Sequence, residues 1–246
     1  KFQLKSFAES AFDPLSRTCR FMLTEEAHHM FVGDTGIGRI VKRTLELMQQ
    51  LKTDDPEAIR KAGCIDLPLL QRYINFWFTF ANGLKGRPDE TRYADHVEKE
   101  SIYELAVPDA EWTGSDAGIL TREVPMRNAM NEEVRSSYVK DCELGFKRWN
   151  RAIERAGFDF RLTLPSVRFR RSIGAWAGVP ISPTGERISQ QAYDENLPNW
   201  IPSEQDRAYV KSLMVKVHEP GKMANWIAPP DRGINNKAID YEYVCL

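Results

Sequence analysis

Along much of this chain apolar residues return every three or four positions, a period that predicts helices. The clearest case runs from about Arg127 to Ala156. There Val134, Tyr138, Cys142, Phe146, Trp149 and Ile153 form one stripe, and Gly157 stands where a helix should end. A second helical pattern runs from about Ser16 to Leu51, opened by Asp13 as cap with Pro14 in the first turn. Gly33, Gly36 and Gly38 interrupt it. Each costs up to ~1 kcal/mol against Ala in a helix interior, so the trio predicts a kink or a close backbone approach. Asp66 and Pro68 open a third helix, Leu67 to Asn82, apolar on most sides and therefore expected to be buried. Weaker helical spacing covers Glu90 to Leu105 and the region near Ser203 to Val217.

After Gly157 the period becomes two. Phe160, Leu162 and Leu164 alternate with Arg161 and Thr163; beyond Pro165-Ser166, Val167 and Phe169 alternate with Arg168 and Arg170. This predicts two short strands joined by a turn. The end, through Ala228-Pro229-Pro230-Asp231-Arg232-Gly233, reads as an irregular tail. The expected fold is therefore mainly α, with a helical portion over 1–157. A small β hairpin, a helix and a loop-rich extension should pack on it over 158–246.

Composition changes this picture little. Of 246 residues, 42% are hydrophobic and 28% charged, an ordinary globular balance. Lys plus Arg total 34 against 35 Asp plus Glu, which gives no electrostatic reason to expect nucleic acid or an anionic membrane. No apolar run reaches the length of a membrane span, and the first residues do not read as a signal peptide. Cys19, Cys64, Cys142 and Cys245 are widely spaced, which argues against a zinc ribbon or iron–sulfur cluster and fits a reducing cytoplasm. Cys142 lies on an apolar stripe, so a small core residue is expected there.

Chemistry concentrates in one segment. Four histidines occur, and His28 and His29 are adjacent within Glu25-Glu26-Ala27-His28-His29. That run holds two overlapping Glu-x-x-His pairs, Glu25 with His28 and Glu26 with His29. Residues three apart share a helix face, so either pair could offer a carboxylate and an imidazole to one metal ion. Oxygen and nitrogen donors without thiolate suit iron in oxygen chemistry. The acid–Glu–x–basic–His order common in di-iron monooxygenases makes Glu26 and His29 the ligands, with Glu25 and His28 orienting them. By spacing alone both pairs stay open, as does an ordinary polar helix face. The zinc-protease order His-Glu-x-x-His is absent.

Two stretches are more specific. The run from Lys1 through Phe12-Asp13-Pro14-Leu15 to Met22-Leu23-Thr24-Glu25-Glu26-Ala27-His28-His29-Met30-Phe31-Val32-Gly33, and the tail Trp226-Ile227-Ala228-Pro229-Pro230-Asp231-Arg232-Gly233-Ile234-Asn235-Asn236, resemble the benzoyl-CoA 2,3-epoxidase family. The resemblance covers essentially the whole chain. It implies a portion of a ferritin-like di-iron helical bundle and epoxidation of the ring of benzoyl-CoA with dioxygen. It also implies electrons from a separate NADPH-dependent flavin/iron–sulfur reductase. Members are about twice this length, so the other iron ligands are expected upstream of Lys1. The ligand helix should then expose an unmatched apolar stripe, and this chain alone should be inactive.

Arg161, Arg168, Arg170 and Arg171 could hold CoA phosphates, since guanidinium matches phosphate geometry; a solvated face is the plainer reading. His96 and His218 read as surface or capping groups, and Trp77, Trp149 and Trp176 as core anchors. Two other classes stay open: another di-iron acyl-CoA oxygenase, such as a phenylacetyl-CoA epoxidase-like protein, and a metal-free helical interaction module.

Overall fold

A computed structural model describes residues 1–83, 100–106, 119–172, 176–214 and 224–231, with backbone alone between 79 and 133. Helices dominate. In chain order they are α1 (Phe2–Phe7), α2 (Asp13–Leu51), α3 (Pro56–Lys61), α4 (Leu67–Gly83), α5 (Met126–Arg155), α6 (Gln190–Trp200) and α7 (Glu204–Ser212). The three long periodic segments thus become α2, α4 and α5. Gly157 takes φ +84, the left-handed conformation that suits glycine just past a helix.

The expected strands over 160–170 do not form. Leu162 donates its N–H to Asn150 Oδ1 at 2.9 Å, and its carbonyl accepts from Asn150 Nδ2 at 2.8 Å. One side chain of α5 thereby takes both backbone groups that a strand partner would use. Residues 167–170 then form a turn, closed by Phe169 N–H donating to Ser166 O at 3.0 Å. The alternation is nevertheless real as burial: Leu162 and Phe169 are buried while Arg161 and Thr163 are exposed. The described antiparallel pair lies elsewhere, between β1 (Glu100–Ala106) and β2 (Ile119–Pro125), in register from Glu100 opposite Pro125 to Ala106 opposite Ile119. The end of the expected helix 90–105 is therefore strand, and its earlier part lies outside the described residues.

The chain divides into two units, each gathered from distant segments. The first combines residues 1–30, 72–144 and 163–201. Its aromatic core stacks Phe78 on Tyr138 at 5.7 Å between centroids, with Phe2 edge-on to the same ring at a centroid distance of 6.5 Å. Burial raises the Tyr138 hydroxyl's pKa far above its ordinary value. Ser16 ties α2 to α1 by donating to Ala8 O at 2.6 Å. A second cluster joins Phe169 and Tyr193 to Trp200, each edge-on at 6.0 Å, and Asn75 donates to Trp200 O at 2.9 Å.

The second unit combines residues 31–71, 145–162 and 202–246. Val41, Ile59, Leu69, Ile153 and Leu162 are its most deeply buried apolar side chains. Asp55 caps α3, Asp66 caps α4 by accepting from Leu69 N–H at 2.8 Å, and Ser203 with Asp206 forms a capping box on α7. Arg60 joins two of these caps, at 2.6 Å from Asp66 and 3.1 Å from Asp206. Burial works against its charge, but the two carboxylates prevail and raise its pKa. Tyr209 donates to Cys64 O at 2.7 Å.

The glycine trio leaves α2 one continuous helix. Nor does any of the three make a close backbone approach: a β-carbon on Gly38 would be in ordinary contact with the Trp149 side chain at 3.6 Å, and Gly33 and Gly36 have nothing within 4 Å. Trp149 is the core anchor expected of it. Trp77, 57% exposed, is not, because α4 leaves one side open to solvent. Trp176 is half-buried under Arg168, and Cys142 is half-buried on α5. Among the described residues, no helix is long and apolar enough to cross a membrane.

Candidate functional site

The paired Glu-x-x-His segment lies within α2, and its helical pitch separates the two pairs onto different faces. Glu26 is half-buried, and its Oε1 lies 3.3 Å from His29 Nδ1. Glu25 and His28 are exposed, and no comparable bond joins them among the described residues. The His28 and His29 rings are 6.4 Å apart at their centroids. The hydrogen bond from His29 holds the Glu26 carboxyl below its ordinary pKa. Lys1 Nζ reaches Asp141 on α5 at 2.6 Å.

The surroundings of the pair face water. Phe21 is 72% exposed and Phe31 65%, and Met22, Met30 and Val32 are exposed as well. A helix with apolar and polar residues both exposed has an unmatched face within this chain. Oxygen and nitrogen donors 3.3 Å apart fit a two-ligand contribution to an iron site. They do not make a complete one: among the described residues, no group of three or more His, Cys, Asp or Glu side chains could hold a metal ion. His96 and His218 lie outside the described residues.

Of the four arginines, Arg161 falls in the second unit and is exposed, while Arg168, Arg170 and Arg171 fall in the first. For those three the solvated-face reading fails. Arg168 lies over Trp176 at 4.8 Å, Arg170 over Phe76 at 5.0 Å, and Arg171 is buried. Sequence reasoning missed Tyr193 beside them. Burial raises its hydroxyl's pKa, Arg170 opposes that shift and Asp194 adds to it, so the charges of both act at its hydroxyl. A Ser189 cap one turn ahead was the available signal for the helix that carries it.

No protein-family model matches this chain. Over 262 residues it is 49% identical to benzoyl-CoA oxygenase component B of Aromatoleum evansii, a match covering 99% of this chain and 54% of that protein. The chain thus spans about half the length of this curated relative.

Proposed function

From a chain homologous to benzoyl-CoA oxygenase component B along nearly its whole length, we propose a part of an oxygenase that acts on benzoyl-CoA, epoxidising its ring with dioxygen. The identity of 49% is the observation that carries this reading. Glu26 and His29 are the residues that would hold iron, as one Glu-x-x-His contribution to a di-iron centre in a ferritin-like bundle. The iron pair, when bound, supplies the oxygen-activating chemistry. This chain's own part is to present a carboxylate and an imidazole on one helix face. Glu25 and His28, on the neighbouring face, orient the ligands and set their protonation. Gly33, with nothing within 4 Å of a β-carbon, keeps the helix surface bare one turn beyond His29.

The remaining ligands come, in this reading, from polypeptide outside this chain. That polypeptide would also cover Phe21 and Phe31 and turn them into the dry wall that oxygen chemistry requires. The turn carrying Arg168, Arg170 and Arg171 faces the CoA end of the substrate. A separate NADPH-dependent flavin/iron–sulfur reductase supplies electrons, which accords with a relative named as one component of an oxygenase.

Metal and product analysis of the whole protein that carries this chain tests the proposal. Iron in stoichiometric amount and an epoxide from benzoyl-CoA are expected. Protein without iron would favour the metal-free interaction module, and turnover of phenylacetyl-CoA instead would favour the other acyl-CoA oxygenase. The chain on its own should hold no stoichiometric iron pair and should be inactive.

A further inference from the structure

The turn from Arg168 to Arg171 gives its three arginines different surroundings. Arg171 is buried, and Arg168 is stacked on Trp176. Arg170 differs from both. Its φ is +55, the left-handed region where a residue with a β-carbon is held only by its neighbours. Its guanidinium is half-buried over Phe76, and no carboxylate pairs with it among the described residues. Tyr193 meets Trp200 at 6.0 Å, as does Phe169, the residue before Arg170, and the Tyr193 hydroxyl has no hydrogen-bond partner among the described residues. Asp194 acts on that hydroxyl, but its carboxylate accepts from Gln190 Nε2 at 2.9 Å. A cation without a counter-ion beside a phenol with an unused donor is an arrangement completed by an anion with several acceptor oxygens.

We propose that Arg170, with Tyr193 as a second donor, takes a phosphate of the nucleotide half of the substrate, while Arg168 and Arg171 hold the turn in place. This rests on the acyl-CoA reading given above. With the guanidinium carbon held 5.0 Å from the centre of the Phe76 ring, two of its N–H groups can meet one phosphate together.

The test is calorimetric titration of free coenzyme A into the whole protein, comparing wild type with Arg170→Asn, Arg170→Lys, Tyr193→Phe and the exposed-surface control Lys61→Gln. Asparagine tolerates the left-handed backbone, so Arg170→Asn removes the charge without adding strain. Arg170→Asn should weaken binding roughly tenfold or more, Arg170→Lys and Tyr193→Phe by less, and Lys61→Gln not at all. Thermal midpoint and iron content should be unchanged in Arg170→Asn. A merely structural arginine would lower both. Wild-type affinity in both Arg170→Asn and Tyr193→Phe would overturn this assignment and leave the acyl-CoA reading standing. A wild-type protein that does not bind coenzyme A would sink that reading and this assignment with it.

Discussion

Arg60 and Asp206 stand 146 positions apart in the chain and meet at 3.1 Å. Both belong to the second unit, and Arg60 also holds Asp66, whose side chain is 2% exposed. Removing the cation would take from two buried carboxylates the positive charge they share. Arg60→Ala is expected to destabilise the protein by about 3–5 kcal/mol, and Arg60→Lys by clearly less. Urea unfolding with an unchanged slope and a lowered midpoint is the check; a midpoint within error of wild type would show the network to be dispensable.

The helical glycines separate by their neighbours. Gly33→Ala and Gly36→Ala meet nothing within 4 Å, so each should gain about 0.5–1 kcal/mol from helix propensity. A β-carbon on Gly145 would come within 3.3 Å of the Trp149 ring. Gly145→Ala should therefore gain less than the other two, or lose stability. Thermal midpoints of the three variants rank them directly.

Ligand choice follows from the geometry of α2. In the whole protein, Glu26→Ala and His29→Ala should abolish iron loading and activity. Glu25→Ala and His28→Ala should retain more iron, since losses of groups that orient a ligand typically amount to roughly 10–100-fold. Iron content measured for all four variants decides the matter, and the reverse ranking would move the ligand role to Glu25 and His28.

Lys42 holds the carboxyl of Asp231 below its ordinary pKa, through a 2.7 Å hydrogen bond and then through charge. A depressed acid stabilises the fold above its ordinary value of 3.8, and that contribution vanishes as pH falls through the lower folded value. Both side chains are well exposed, so solvent screens the pair. Lys42→Ala should raise the Asp231 titration, followed by carboxyl NMR, toward its ordinary position, with no measurable change in thermal midpoint at neutral pH.

The long helices were legible because α2, α4 and α5 each bury one periodic stripe, and Gly157 marked the end of α5 through its φ. The strands were misplaced for a local reason. Period two at 160–164 records alternate burial along a segment tied to a helix side chain, which burial pattern alone cannot tell from a sheet. β1 was misread because Ile102 and Leu105 fall three apart, a helical spacing. α6 went unseen because it buries no residue and contains Pro198, so it carries no stripe to detect. At the site, the Glu-x-x-His spacing brought Glu26 and His29 to one face, as their residue numbers suggested. The identity of Arg170 as the strained member of its turn was invisible, since nothing in an arginine-rich run reveals a left-handed backbone.

The two hydrogen bonds between Asn150 and Leu162 also bear on chemical ageing. Hydrolysis of the Asn150 amide to a carboxylate changes one group and almost no volume. The remaining oxygen could still accept from Leu162 N–H, but the new one would set a negative charge against the Leu162 carbonyl. A preparation that deamidates at this position should therefore loosen at 160–164 while the rest of α5 keeps its shape. Faster amide exchange at Leu162 in aged protein would report it.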